Sequence, residues 1–473
     1  MSGLVAPEVT RLEPAALSAL AEVLKVTCPQ ATLVLGPEIE SKLLTDFIGA
    51  DVGCADLYLK VGTAAEVSAA LKAAYVRKIP VTVRGAGTNL VGSTIPRGGL
   101  VLDVSGLNRV LELDPDNRTI LVEPGVKLCD LQALVESKGL FYPPDPAEKQ
   151  ATIGGNIATN AGGMRAVKYG VTRDFVLALE VVLPDGTVLE LGSPCLKDAT
   201  GLNLKHLFIG SEGSLGVITK CLLRLIAKPE ATAHALIGFA SLAQGISAVN
   251  TLYAANLAPT AIEFVEKKVI ALGEQFIQAD FPLPEYQAYL IVTFDGKAEE
   301  LSAKLAACQE ALQSQYEVGF LPLTDPEVAQ RVWTIRAALA KAVQASGIWE
   351  PVDTVVPLKS IATLIDDIAQ LSAHEEVRIL AFGHAGDGNV HLCILKDDIP
   401  EAQWPKRLER VLSQLYARVY QLHGKIAAEH GVGRHKRQYF LEQVSPAELK
   451  LMRLIKNSID PYHMFNRSSG YAE

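Results

Sequence analysis

The sequence lacks the marks of several protein classes. Its seven cysteines (Cys28, Cys54, Cys129, Cys195, Cys221, Cys308 and Cys393) form no C-x-x-C pair anywhere in 473 residues. That argues against a zinc ribbon or a cysteine-bound iron–sulfur cluster and predicts buried, reduced thiols. A chain of this kind that moved electrons onward would need another chain to take them. No run of 18 apolar residues occurs, so no integral membrane segment is predicted. The opening "MSGLVAPEVTRLEPAAL" has neither a basic leader nor a continuous apolar run, and a cytoplasmic location is expected. Positive charge is in deficit: 44 Lys and Arg against 53 Asp and Glu give a net charge of -9. With pI near 5.6, no nucleic-acid partner is expected, since one would leave a basic patch or stripe. Internal repeats are absent as well, which excludes a solenoid.

What is present is apolar sequence, 49% of the residues, enough for two or three cores of ordinary size. A helix is expected over roughly Pro14 to Val26, within a helical segment 1–35. Residues 36–229 read as an α+β unit. "DLYLKV" has the alternation of a strand, "TAAEVSAALKAAYVRK" is a helix capped by Thr63 with Glu66 three residues on, and "IPVTVRGAG" is a strand entering a glycine turn. Further strands fit "GGLVLDVS", "TILVEPGV", "LALEVVLPDGTVLEL" turning at Asp185-Gly186, and "LGVITKCLLRLI". Residues 230–410 repeat a strand–helix pattern, from "HALIGFA" and "LAQGISAVNTLYAAN" through "TAIEFVE" and "AYLIVTFDG" to "VRILAFGH" and "VHLCILK". This predicts an antiparallel sheet covered by helices. Residues 411–473 read as mostly helical.

Glycine is concentrated in three places: "VRGAGTNLVGS", "ATIGGNIATNAGGMRAVKYG" and "FIGSEGSLGVIT". The first fails the dinucleotide fingerprint because Leu90 stands where G-x-G-x-x-G needs its third glycine, and it fails Walker A for want of G-K-[ST]. What remains is a polar glycine turn whose N–H groups can form an anion-binding nest. Stretches so poor in bulky side chains cannot build a core alone, which suggests that something flat and polar lies against them.

A fourth loop, "GHAGDGNVH", sets His384 and His391 on either side of a glycine turn. Capping hydrogen bonds in a hairpin would account for one such histidine. Two of nine histidines flanking one loop favour a metal, with Asp387 or Asn389 orienting the rings. Two imidazoles call for a third ligand, and "AAEHGVGRH" offers Glu429 beside His430.

Taken together, "VRGAGTNLVGS", "PPDPAEKQATIGGNIATNAGG", "VKYGVTRDFVLALEVVLPDG" and "GSEGSLGVIT" resemble the FAD-binding domain of vanillyl-alcohol-oxidase-type flavoproteins. "VWTIR", "GHAGDGNVH" and "EHGVG" resemble the branch holding D-lactate dehydrogenases, glycolate oxidase subunits of the GlcD type and D-2-hydroxyglutarate dehydrogenases. The resemblance runs from about residue 40 to 470. It implies a two-part FAD-binding domain (36–229), a substrate or cap domain (230–410) and a C-terminal helical segment (411–473) packing back on the FAD domain. FAD would be bound non-covalently, since the first glycine loop has no histidine near Thr88-Asn89. Its binding residues would be Arg84, Gly85, Ala86, Gly87, Thr88, Asn89, Ser93, Pro143, Asp145, Thr152, Gly154, Gly155, Asn156, Thr159, Gly162, Gly163, Gly170, Glu212, Gly213, Gly216, Ile218 and Asn389. The chain ends in "MFNRSSGY" where relatives carry an NPGK-like turn, so no role is assigned to Asn466.

The same resemblance implies His384, His391 and Glu429 as ligands of one divalent metal (zinc, iron or manganese). His430 would be the base and Arg336 of the W-x-x-R segment the substrate-carboxylate arginine, ahead of Lys341. A divalent cation acidifies a bound alcohol as it does water, a neutral imidazole suffices as base, and hydride would pass to flavin N5. "QASGIWEPVDTVVP" has no basic residue between Gln344 and Pro357, which favours a small monocarboxylate. The expected activity is therefore D-lactate to pyruvate. Glycolate and D-2-hydroxyglutarate are alternatives, and electrons would go to an electron-transfer flavoprotein or an iron–sulfur protein. A flavin-holding component of a redox complex without catalysis, or an alkyl transferase on the same fold, fits the residue set less well.

Overall fold

The computed structural model describes residues 11–467 and 471. The first ten residues of the expected N-terminal segment, and residues 468–470 and 472–473 of the C-terminal one, lie outside the described residues. The chain divides into two compact bodies. A discontinuous body comprises residues 11–161, Val171–Lys228 and the chain from Glu429 onward, and a central body comprises Gly162–Gly170 and Pro229–Ala428.

The discontinuous body opens with the helix Pro14–Thr27 and a four-stranded sheet of β1 (Thr32–Leu35), β2 (Leu57–Lys60), β3 (Val81–Arg84) and β4 (Leu100–Asp103), in the order β1-β2-β4-β3. β2 and β3 run parallel to β4. A parallel pair needs a crossover, and helix Ala64–Tyr75 supplies it between β2 and β3. Thr63 Oγ1 accepts the Glu66 N–H at 3.2 Å, as the sequence predicts. The Glu66 carboxylate, however, reaches past Thr63 to accept from Gly62 and Gln30, at 2.9 and 2.8 Å. Leu57, Leu59, Leu100 and Leu102 pack with Val67 and Leu71 of that helix into one core.

A second sheet holds β5 (Val110–Asp114), β6 (Thr119–Val122), β8 (Val176–Val182), β9 (Val188–Gly192) and β10 (Val217–Arg224), antiparallel throughout in the order β5-β6-β10-β8-β9. The predicted Asp185-Gly186 turn joins β8 to β9, with Gly186 at φ +86°. β7 (Leu140–Phe141) and β11 (Ile226–Ala227) form a short separate pair. Helices Arg437–Gln443 and Pro446–Ile459 complete this body.

The central body is one seven-stranded antiparallel sheet. It is made of β12 (Ala231–Phe239), β13 (Ala261–Glu266), β14 (Ala288–Gly296), β15 (Gly319–Pro322), β16 (Trp349–Val355), β17 (Arg378–His384) and β18 (Asn389–Leu395), ordered β15-β12-β14-β13-β17-β18-β16. Helices cover it as expected. Lys267–Ile277 and Pro326–Ser346 pack their Val269, Ile270, Ile335 and Leu339 side chains into the core under β13, β14 and β17. Lys168 and Tyr169, from the segment Gly162–Gly170, both engage the buried Asp295 of β14.

Cys28, Cys221, Cys308 and Cys393 are buried thiols, Cys54 and Cys129 are half-buried, and Cys195 is exposed, a departure from the expectation of burial. Among the described residues no helix is long and apolar enough to cross a membrane.

Candidate active site

The hairpin β17–β18 sets the two histidines by register. His384 pairs with Asn389, and His391 with Phe382 two residues earlier on β17. The two rings are therefore diagonal neighbours on one face of the sheet. Their centroids are 5.1 Å apart at 87°, and the Nε2 atoms approach to 3.4 Å. A tetrahedral site with Zn–N bonds near 2.0–2.1 Å separates two ligand nitrogens by about 3.3–3.4 Å, so the pair is already spaced for one divalent cation. The turn between them depends on Gly388, at φ +89°, where a Cβ would run into the Val356 carbonyl. Tyr253 donates its hydroxyl to the Gly386 carbonyl at 2.5 Å.

Each imidazole has a carboxylate directly across the neighbouring strand. Glu263 of β13 is the register partner of His384, and Asp353 of β16 is the register partner of His391. Both acids are 0% exposed. His384 Nδ1 lies 2.5 Å from Glu263 Oε1, and His391 Nδ1 lies 3.7 Å from Asp353 Oδ1. Burial alone would push the Glu263 carboxyl up, but His384 and Arg336 beside it hold it below the usual carboxylate range.

Sequence reasoning assigned the orienting role to Asp387 or Asn389, and it missed Glu263 and Asp353. Asp387 Oδ1 instead accepts the Asn389 N–H at 3.2 Å. Asn389, expected to touch the cofactor, lies in the central body and donates to Asp353 Oδ1 and the Thr354 carbonyl, at 2.8 and 2.9 Å. The signal was available in "TAIEFVE": an acid flanked by Ile262 and Phe264 in a strand that reads as core.

Arg336 projects from helix Pro326–Ser346, whose first turn Asp325 caps by accepting from Glu327 and Val328 at 2.8 and 3.4 Å. Its Nη2 donates to Glu263 Oε2, and its guanidinium lies 5.2 Å from the Phe382 ring centroid. Its Nε–H is buried without an acceptor among the described residues. Lys341 is exposed.

The discontinuous body gathers most of the expected cofactor residues around one cavity. Its lining includes Gly85, Ala86, Gly87, Thr88, Asn89, Ser93, Thr152, Gly154, Gly155, Asn156, Thr159, Glu212, Gly213, Gly216 and Ile218. The glycines are needed because backbones meet there. A Cβ on Gly154 would stand 2.5 Å from Pro124 Cβ, and Gly87 adopts φ +72°. Arg84, Pro143 and Asp145 do not line the cavity. Arg84 instead donates to the Thr45 and Lys42 carbonyls at 2.7 and 3.0 Å, clamping the turn from below. Gly162, Gly163 and Gly170 belong to the central body.

Glu429 and His430 also line this cavity, with His430 Nε2 3.8 Å from Glu429 Oε1. The glycine loop after them is held by Glu212, whose carboxylate accepts the Val432 and Gly433 N–H groups, each at 2.9 Å, and the Ser93 hydroxyl. Asn466, given no role from sequence, lines the cavity too. Its Nδ2 donates to the Glu212 carbonyl at 2.5 Å and its Oδ1 accepts from Val83 at 3.0 Å.

Known proteins align with both parts of this arrangement. The FAD binding domain matches residues 55–192, and the C-terminal domain of FAD linked oxidases matches residues 228–469. D-lactate dehydrogenase of Anaerostipes hadrus is 37% identical, covering 94% of this chain and 95% of its own. Glycolate oxidase subunit GlcD of Bacillus subtilis is 34% identical, over 86% of this chain and 87% of its own. The substrate-bound crystal structure of p-cresol methylhydroxylase superposes with a TM-score of 0.80 over 98% of each chain at 15% identity, a likeness of fold. The glycine cradle in one body and the paired imidazoles in the other fall within the two matched domains. The chain belongs to the FAD-linked oxidoreductases of the vanillyl-alcohol-oxidase type, in the branch of D-lactate dehydrogenases and GlcD-type glycolate oxidase subunits.

Proposed function

We propose that the protein is an FAD- and metal-dependent D-2-hydroxyacid dehydrogenase acting on D-lactate. The observation that carries the metal is the pair of Nε2 atoms 3.4 Å apart, each ring backed by a buried carboxylate across the strand. His384 and His391 would be two ligands and Glu429 the third. Glu429 follows Ala428, whose N–H is fixed on Asp353 Oδ2 at 2.9 Å, the same acid that flanks His391. When bound, a divalent cation would acidify the substrate hydroxyl, and FAD would accept the hydride.

The protein's own residues then have distinct tasks. His430 takes the hydroxyl proton, which a neutral imidazole can do near neutral pH. Arg336 binds the substrate carboxylate with the Nε–H that has no acceptor of its own among the described residues. Asn466 and Glu212 fix the cavity wall against which the flavin lies. A small monocarboxylate is favoured by β16, where Pro351 occupies the same face as Asp353 two residues earlier and brings no second positive charge. Because the sequence has no paired cysteines to hold a cluster, the electrons pass to a partner protein, an electron-transfer flavoprotein or an iron–sulfur protein.

Anaerobic reduction of the flavin tests this reading. D-lactate should bleach the flavin, with glycolate slower and L-lactate and D-2-hydroxyglutarate inert. Prior chelation should abolish the reaction, and zinc or manganese should restore it. Bleaching by L-lactate, or a full rate after complete metal removal, would refute the proposal.

A further inference from the structure

Glu263 is fully buried, carries no solvent contact, and is shared by two groups with different tasks. We infer that Glu263 is the positioning residue that sets the tautomer of His384 and holds Arg336 in register with it. The inference deepens the dehydrogenase reading and rests on it only for what the bare imidazole nitrogen is used for.

The chemistry follows from which groups can donate. Arg336 has five N–H donors and no acceptor, so the oxygen facing it must accept. His384 Nδ1 faces the other Glu263 oxygen at 2.5 Å. An ionised carboxylate has only acceptors, so that nitrogen carries the proton and Nε2 is left with its lone pair. Nε2 is the atom that stands 3.4 Å from His391 Nε2. The carboxylate stays ionised because the guanidinium is anchored from the far side, with its flat face toward Phe382.

An amide at the same place reverses the logic while keeping the shape. In Glu263→Gln the single carbonyl oxygen must turn to Arg336, which can only donate. The NH₂ group then faces His384 Nδ1, that nitrogen has to accept, and the ring proton moves to Nε2. Removing the guanidinium as well, in Glu263→Gln with Arg336→Met, frees the amide to rotate, returns the carbonyl oxygen to Nδ1 and strips Nε2 again. A merely structural role would make the double variant worse than the single one.

Zinc alone, in competition with a chelator, is the probe, applied to the full-length flavoprotein. Glu263→Gln should bind zinc about 10–100-fold more weakly than wild type, the range for losing an outer partner of a ligating histidine. The double variant should recover to within a few-fold of Arg336→Met alone. Wild-type affinity in Glu263→Gln, or a double variant as weak as the single, overturns the inference. Imidazole ¹⁵N shifts of the metal-free protein, with His384 assigned by its absence in His384→Gln, read the tautomer directly. Wild type should carry the proton on Nδ1 and Glu263→Gln on Nε2. If Glu263→Gln does not fold, the wild-type spectrum decides alone, since a proton on Nε2 there sinks the inference. If the tautomer switches as stated but wild type binds no zinc, this inference stands and the metal-dependent reading falls.

Discussion

The two bodies solve the problem of a polar site in opposite ways. The central body takes ionisable side chains into a sheet interior and gives each a companion on the adjacent strand, Glu263 beside His384 and Asp353 beside His391. Buried charges demand this, because an unpaired one is far more costly than the pair is favourable. The discontinuous body keeps most charge away from its cavity wall and presents glycines, hydroxyls and amides. Its exception, Glu212, is spent on backbone N–H groups. One site is defined by partners, the other by the absence of bulk, and the two should fail differently.

The largest failure is expected in the cradle. Gly154→Val would drive side-chain atoms into Pro124, with a loss of roughly 1–3 kcal/mol from overpacking and, at purification, a colourless protein by visible absorbance. Stoichiometric flavin in that variant would break the claim that close backbone approach builds the cavity.

A smaller effect is expected from Asp353→Asn in the central body. Asp353 accepts from both Asn389 and Ala428. An amide offers one oxygen for two donors, so urea unfolding should show a loss of about 1–3 kcal/mol, with flavin content unchanged. Loss of flavin together with stability would blur the contrast between the two bodies.

The smallest effect sharpens the comparison inside the central body. Among the described residues, His234 has no carboxylate partner across its strand. Its Nδ1 meets Thr293 Oγ1 at 2.9 Å, and burial pulls its pKa down to about 4. Between the ordinary value of about 6.5 and 4, the unfolded chain binds a proton that the folded one refuses. Stability should therefore fall as pH drops through that window and level off below it. His234→Asn, which keeps a polar atom toward Thr293, should flatten the slope in thermal melts recorded from pH 7 to 4. An unchanged slope would exclude His234 as its source.

How much was legible in the sequence follows the same contrast. Glycine density marks the cradle directly, because Gly85, Gly154 and Gly213 stand in contiguous motifs and serve the same cavity. The histidine loop was legible for a similar reason: both rings lie on one hairpin. Glu263 and Asp353 were not, since each acts through strand register, 121 positions from His384 in one case and on a separate strand in the other. Arg84 misled because it borders the glycine turn in sequence while its guanidinium points at the carbonyls of residues 42 and 45. Asn466 was passed over because its neighbours depart from the expected turn, yet its amide is fixed by Val83 and Glu212.

The chain changes body at 161/162, 170/171, 228/229 and 428/429. No single cut can therefore release either half intact. A fragment spanning 229–428 would leave behind Lys168 and Tyr169, stranding the Asp295 carboxylate they neutralise and cap. Gene fusions, split reporters and limited proteolysis should thus treat the protein as one indivisible folding lineage, whose halves are interleaved in synthesis though separate in packing.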